Sequence, residues 1–210
     1  MAISTYAELL TAAANWTGRA DLTSRIPEFI ALFEAKFNRD VRVPQQEKIN
    51  ASFTVDGEYE TVPTDFIELR SMHITTDPKR ALTYLPPNQQ TEFYNSGSGI
   101  PQFVTVTGHT ANDGTMSFRF APAPDGTYTA VVTYYAKLLG LNGTTQTTNW
   151  LLTNHPDVYL YGVLTEAAIF LIDDPRIPAW RDGLAQALGS LQRTNNRARW
   201  GAGGMAARPQ

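Results

Sequence analysis

The chain has 210 residues, 17 basic and 20 acidic for a formal charge of -3, and 42% of it is hydrophobic. This allows one large or two small globular domains with a real core, while the lack of any Lys/Arg block removes the field needed for tight nucleic-acid binding. The absence of cysteine excludes disulfides, thiolate metal sites and a Cys nucleophile.

The start, Met1-Ala-Ile-Ser-Thr-Tyr-Ala-Glu8, lacks the basic opening and long apolar run of a secretory signal. No stretch reaches the roughly 18 to 20 apolar residues that span a bilayer. The chain is expected to be made in the cytosol and to need no membrane. Thr5-Tyr-Ala-Glu8 is a capping-box pattern, and Leu9, Leu10, Ala13 and Trp16 follow at helical spacing before Gly18, predicting a helix over 5–17. Ser24 caps a second helix with Pro27 in its first turn. Ile26, Phe29, Ile30, Phe33 and Phe37 form its apolar stripe, and it ends before Pro44.

From Lys48 the period changes to two. Phe53 and Val55 alternate with Ser52 and Thr54, Asp56-Gly57 reads as a two-residue hairpin turn, and Glu58 to Val62 returns. Further strands are expected over 68–75, 103–107, 115–120 and 127–137, the last three separated by Asn112-Asp-Gly114 and Pro122-Ala-Pro-Asp-Gly126. A short helix over 88–94 interrupts them. After a polar linker from Leu141 to Thr148, helical periodicity resumes over 156–172 and again from Pro178 to Ala198. The fold class is α+β. Residues 1–46 and 142–198 supply the helices of one bundle, 47–141 form an inserted antiparallel β domain, and 199–210 are an extended tail that cannot bury a face of its own.

Catalytic chemistry finds little support. His73, His109 and His155 fall in a strand, a loop and a helix start without ligand spacing, so no metal site is expected. There is no Gly-x-Ser-x-Gly elbow, and Ser96-Gly-Ser-Gly99 reads as a flexible turn. Asp173-Asp174 precede Pro175 at a helix junction, where Asp commonly caps. No Gly-rich phosphate loop follows a strand, so no cofactor is expected and the chain is not read as an enzyme. His155-Pro-Asp157 matches a J-domain tripeptide, but no basic residue occurs in Thr144–Asn154 before it. It reads instead as a helix start, with Pro156 early and Asp157 at the positive end.

The next residues are apolar almost all round: Val158, Leu160, Tyr161, Val163, Leu164, Ala167, Ala168, Ile169, Phe170, Leu171 and Ile172. Such a helix must be covered on every side, by the β domain or by a neighbouring subunit. Tyr159, Tyr161, Leu164 and Phe170 are therefore candidate oligomer-packing residues. The C-terminal end is the one locally basic part of the chain. Arg193, Arg197, Arg199 and Arg208, with Trp200 and Met205, are candidates for docking onto an acidic protein surface.

Three stretches in order resemble a known family. They are Val62-Pro-Thr-Asp-Phe66 with Glu68-Leu-Arg-Ser71; Phe118-Arg-Phe-Ala-Pro-Ala-Pro-Asp-Gly126 leading to Val132-Thr-Tyr-Tyr-Ala-Lys137; and Asn149-Trp-Leu-Leu with His155-Pro-Asp-Val-Tyr-Leu-Tyr161 and Asp173-Asp174. Together they resemble the head-to-tail connector (adaptor) proteins of tailed bacteriophages, similar to the tail tubular protein A and tail accessory factor families. The resemblance implies a structural virion protein of the neck, assembled in the host cytoplasm. It implies a ring, typically of twelve copies, between the portal protein and the next tail or nozzle protein. Double-stranded DNA would pass through its lumen without specific binding, which a near-neutral wall suits. The C-terminal segment would reach the portal. Two alternatives compete: another neck component such as a completion or stopper protein, and a carbohydrate-binding module or small hydrolase using Trp16, Trp150, Trp180 or Trp200 to stack on sugars.

Overall fold

A computed structural model describes residues 3–93, 97–108, 114–171 and 174–200, with no side-chain description at 20, 91–93 and 197–200. In chain order the first elements are α1 (Tyr6–Thr17), α2 (Ile26–Asp40), β1 (Glu47–Val55), β2 (Tyr59–Thr61), β3 (Phe66–Ile74), β4 (Arg80–Ala81) and β5 (Thr83–Tyr84). There follow α3 (Pro87–Phe93), β6 (Phe103–Gly108), β7 (Met116–Ala121), β8 (Tyr128–Ala136), α4 (Trp150–Asn154), α5 (Pro156–Ala167) and α6 (Ile177–Trp200). The fold is α+β, helices and largely antiparallel sheets. It divides into two compact units, Met1–Gln45 with Leu138–Gln210, and Gln46–Lys137.

The first unit is helical. The capping box at α1 forms: Glu8 N–H donates to Thr5 Oγ1 at 3.4 Å and Thr5 N–H to Glu8 Oε2 at 2.9 Å. The helix stops at Gly18, whose φ of 66° is a left-handed conformation that suits glycine. The second helix differs from expectation at its start. Residues Ala20–Arg25 take 3-10 geometry, and α2 begins at Ile26 without a side-chain cap. The predicted helix over 156–172 also divides, since α5 ends at Ala167 and a 3-10 turn, Ala168–Phe170, follows. Leu9, Phe29, Ile30, Phe33, Leu151, Tyr159 and Val163 are among the buried residues of one core cluster of this unit.

The second unit holds two four-stranded sheets, ordered β1-β8-β3-β4 and β2-β7-β6-β5. All pairs are antiparallel except the short β5–β6 pair. Side chains from both sheets, including Val55, Met72, Ile74, Phe118, Phe120 and Val132, share one buried cluster, as in a sandwich. Phe118 meets the rings of Phe53 and Phe66 edge-on, with centroids 5.6 and 5.3 Å away.

The expected hairpin at Asp56-Gly57 does not form. β1 pairs with β8, and β2 pairs with β7 in the other sheet. The turn is closed by a side chain: Glu60 Oε1 accepts the N–H groups of Asp56 and Gly57 at 3.1 and 2.8 Å. The chain is thereby redirected into the opposite sheet instead of folding back on β1.

Candidate functional site

The stretches that carry the family resemblance become structural ties. In the β unit, Asp65 lies just before β3 and accepts from two strands. Tyr134 Oη of β8 donates to Oδ1 at 2.8 Å and Lys48 Nζ of β1 to Oδ2 at 2.6 Å. Burial alone would raise the Asp65 carboxyl, but these two donors outweigh it and hold it below the usual range. The Tyr134 hydroxyl is pushed up to about 12 by burial and then by Asp65. Phe66, the next residue, packs on Phe118 and Tyr134. The Pro-x-Asp-Phe entry and the Tyr-Tyr strand are thus two halves of one lock.

The helical unit has a matching device around Glu34 of α2. Tyr159 Oη of α5 donates to Glu34 Oε1 at 2.7 Å, and Leu141 N–H donates to the same oxygen at 2.9 Å. Asn149, whose Oδ1 caps α4 through Leu152 N–H, donates Nδ2 to Tyr159 Oη at 2.7 Å and to the Leu139 carbonyl at 2.8 Å. Burial raises the Glu34 carboxyl, and the hydrogen bonds from Leu141 and Tyr159 offset that only in part. The Tyr159 hydroxyl is held far above its ordinary value by burial and by the Glu34 charge. With Asn38 Oδ1 accepting Leu138 N–H at 2.7 Å, the segment after β8 is clamped onto α2.

The helix that reads as apolar on all sides is covered by its own unit. α1, α2, α4 and α6 all pack on α5, and Gly162 lets Phe33 approach so closely that a Cβ there would lie 2.2 Å from the ring. Tyr159 and Leu164 are fully buried and present no surface to another subunit. Tyr161 is half-buried, with Trp16 edge-on at 5.9 Å. Phe170 is 41% exposed, tilted on Phe29 at 5.2 Å and covered on one side by the Arg25 guanidinium at 5.3 Å. Of the C-terminal candidates, Arg193 is exposed on α6. Arg197, Arg199 and Trp200 lie on the last turns of α6, and Met205 and Arg208 fall outside the described residues.

Open clefts occur in both units. One, of about 490 Å³, is lined by Thr17, Gly18, Arg19, Leu171, Asp174, Pro175 and Arg176. Its charged groups are committed to structure: Arg176 donates to the Trp16 and Thr17 carbonyls at 2.7 and 3.0 Å and to Asp174 at 2.6 Å. Arg176 thereby closes the C-terminus of α1 and lowers the Asp174 carboxyl to about 2. The other, of about 480 Å³, lies in the β unit against Phe66, Ile67, Glu68, Leu69, Tyr84 and Val106. Among the described residues no group of three or more His, Asp or Glu is placed to hold a metal ion, and no helix is long and apolar enough to cross a membrane.

The surface of the helical unit is more informative. Trp16, Leu32 and Ile169 are 44%, 50% and 72% exposed. Leu32 and Ile169 escaped the sequence reading of interface residues. The available signal for Leu32 was an apolar residue off the Phe29–Phe33–Phe37 stripe of an amphipathic helix. A family model described as SU10 adaptor protein matches residues 4–208, nearly the whole chain. No curated protein matches it.

Proposed function

The chain belongs to the SU10 adaptor protein family, and on that premise we propose that it is the structural element joining the portal of a tailed phage to the next tail component. Phage adaptor proteins are structural rather than catalytic, and act as parts of the virion. The proposal goes further: copies of the chain close into a ring, of twelve as the resemblance implies, beneath the portal. Double-stranded DNA crosses the lumen without specific binding.

The observation that carries this reading is the family match over residues 4–208, spanning both units. The net charge of -3 is compatible with a wall along which DNA slides instead of adhering. The C-terminal end, with Arg193, Arg197, Arg199, Trp200, Met205 and Arg208, is proposed to engage the portal, with arginine and tryptophan as anchors on an acidic surface. Removing residues 199–210 tests this role. The truncated chain should keep its circular dichroism and its unfolding midpoint while losing attachment to purified portal rings. Undiminished attachment would overturn the assignment of this segment.

A further inference from the structure

We infer that an extra residue in β1 closes the long open edge of its sheet to strand addition, so that copies of the chain do not associate through the edges of their β units. The inference stands on the β unit alone and is independent of the ring reading above.

The edge of a sheet presents backbone N–H and C=O groups that template pairing with another chain. Of the strands that end the two sheets, β2, β4 and β5 are only two or three residues long and offer a partner little. β1 is the exception. Its nine residues pair with β8 on one side and, among the described residues, with no strand on the other. Ile49 stands on it 66% exposed. A straight edge of this length carrying an exposed apolar side chain would pair readily with a second copy.

β1 is not straight. Asn50 pairs with Val132 and Phe53 with Ala130, so Ala51 and Ser52 together stand opposite the single residue Val131. Two residues against one form a β-bulge, which bends the strand, increases its twist and interrupts the ladder. The bulge is also sealed from within, because Asn50 Oδ1 accepts the Ser52 N–H at 3.1 Å and spends that donor inside the strand. Lys48, tied to Asp65 at 2.6 Å, adds a charge near the start of the edge. Core packing does not require the extra residue. Val132 and Ala130 both belong to the buried cluster, so with one residue fewer between them Asn50 and Phe53 would still face it, on a straight strand. The same asymmetry recurs across the sheet. β8, paired on both sides, carries no extra residue, whereas β3, which β4 covers only at His73 and Ile74, carries two. In the other sheet the β2–β7 and β6–β7 pairs run without a register shift. The irregularities therefore sit on the strands at the margin of the sheet, where they oppose further pairing, and not on the enclosed one.

Deleting Ala51 from the full chain tests the role of the bulge. Sedimentation velocity over a concentration series compares the deletion variant with wild type, and circular dichroism confirms that each is folded. Amide exchange in β1 is followed at the low and high ends of the series. The deletion should shift sedimentation toward larger species than wild type forms at the same concentration, and the β1 amides should become protected as those species appear. Asn50→Ala keeps the bulge but releases the Ser52 N–H, and should cause a smaller shift in the same direction; it decides the matter if the deletion variant does not fold. A folded deletion variant that sediments like wild type would overturn the inference, as would association that leaves β1 exchange unchanged. If the deletion variant is unfolded, Asn50→Ala sedimenting like wild type overturns it.

Discussion

Replacing Tyr159 by Phe isolates the Glu34 clamp, because the ring keeps its packing on Phe33, 5.3 Å between centroids, while the hydroxyl is lost. Glu34 then retains Leu141 N–H but loses the 2.7 Å donor, and Asn149 Nδ2 retains the Leu139 carbonyl. A buried hydrogen bond to a charged group contributes about 1.5–3 kcal/mol, so a loss of about 2 kcal/mol is expected at pH 7. All four tryptophans belong to the helical unit and none to the β unit, so fluorescence during urea unfolding reports the affected unit alone. With a slope of about 1–3 kcal/mol/M, the midpoint should fall by roughly 1 M.

The same residue makes a pH prediction whose sign is fixed. The Glu34 carboxyl is raised in the folded chain, so its ionisation opposes folding. Stability is lost as pH rises from the ordinary carboxylate range through the raised value. Removing the Tyr159 donor raises that value further, and the cost of Tyr159→Phe should be larger at pH 7 than near pH 4, where Glu34 is neutral in both proteins. A change under about 0.5 kcal/mol at pH 7, or an equal cost at both pH values, would refute this account of the clamp.

Gly162→Ala should destabilise the helical unit despite the better helix former, because the new methyl meets the Phe33 ring at 2.2 Å. Overpacking of about 1–3 kcal/mol or more outweighs the propensity gain of about 1 kcal/mol, and thermal unfolding read by fluorescence should fall by several degrees. Asp65→Ala should loosen the β unit, seen as faster amide exchange in β1 and β8. Since the Asp65 carboxyl is depressed, its contribution is present in full above the ordinary carboxylate range and should fade as pH falls from that range through the depressed value. Leu164→Asp should prevent folding of the helical unit, since it would leave an unpaired charge at a fully buried position; a soluble, cooperatively unfolding variant would contradict that.

What could be read from the chain was local grammar. Thr5 and Glu8 stand three residues apart, so their mutual capping is visible before any fold is known. The all-round apolar character of residues 158–172 marks a covered helix, yet not what covers it. That depends on Phe33, Ala187 and Leu191, brought in from elements distant in sequence. Asp56-Gly57 misleads for the same reason. Turn residues predict a reversal, but β1 finds its partner in β8, and Glu60 closes the turn through its side chain. The two-residue strands β4 and β5 are too short for any periodicity. The Glu34–Tyr159 contact joins residues 125 apart, so neither residue signals it alone. Leu32 stands off the apolar stripe of its helix and so was open to reading, whereas the exposed position of Ile169 emerges only once the helices are placed.

The central claim, that this SU10-family chain joins portal to tail as a ring, is tested most directly by electron cryo-microscopy of purified portal rings mixed with the full chain. A closed ring of copies seated on the portal, with an axial opening wide enough for duplex DNA, is the predicted result. Portal rings left unaltered beside a monomeric chain would contradict it.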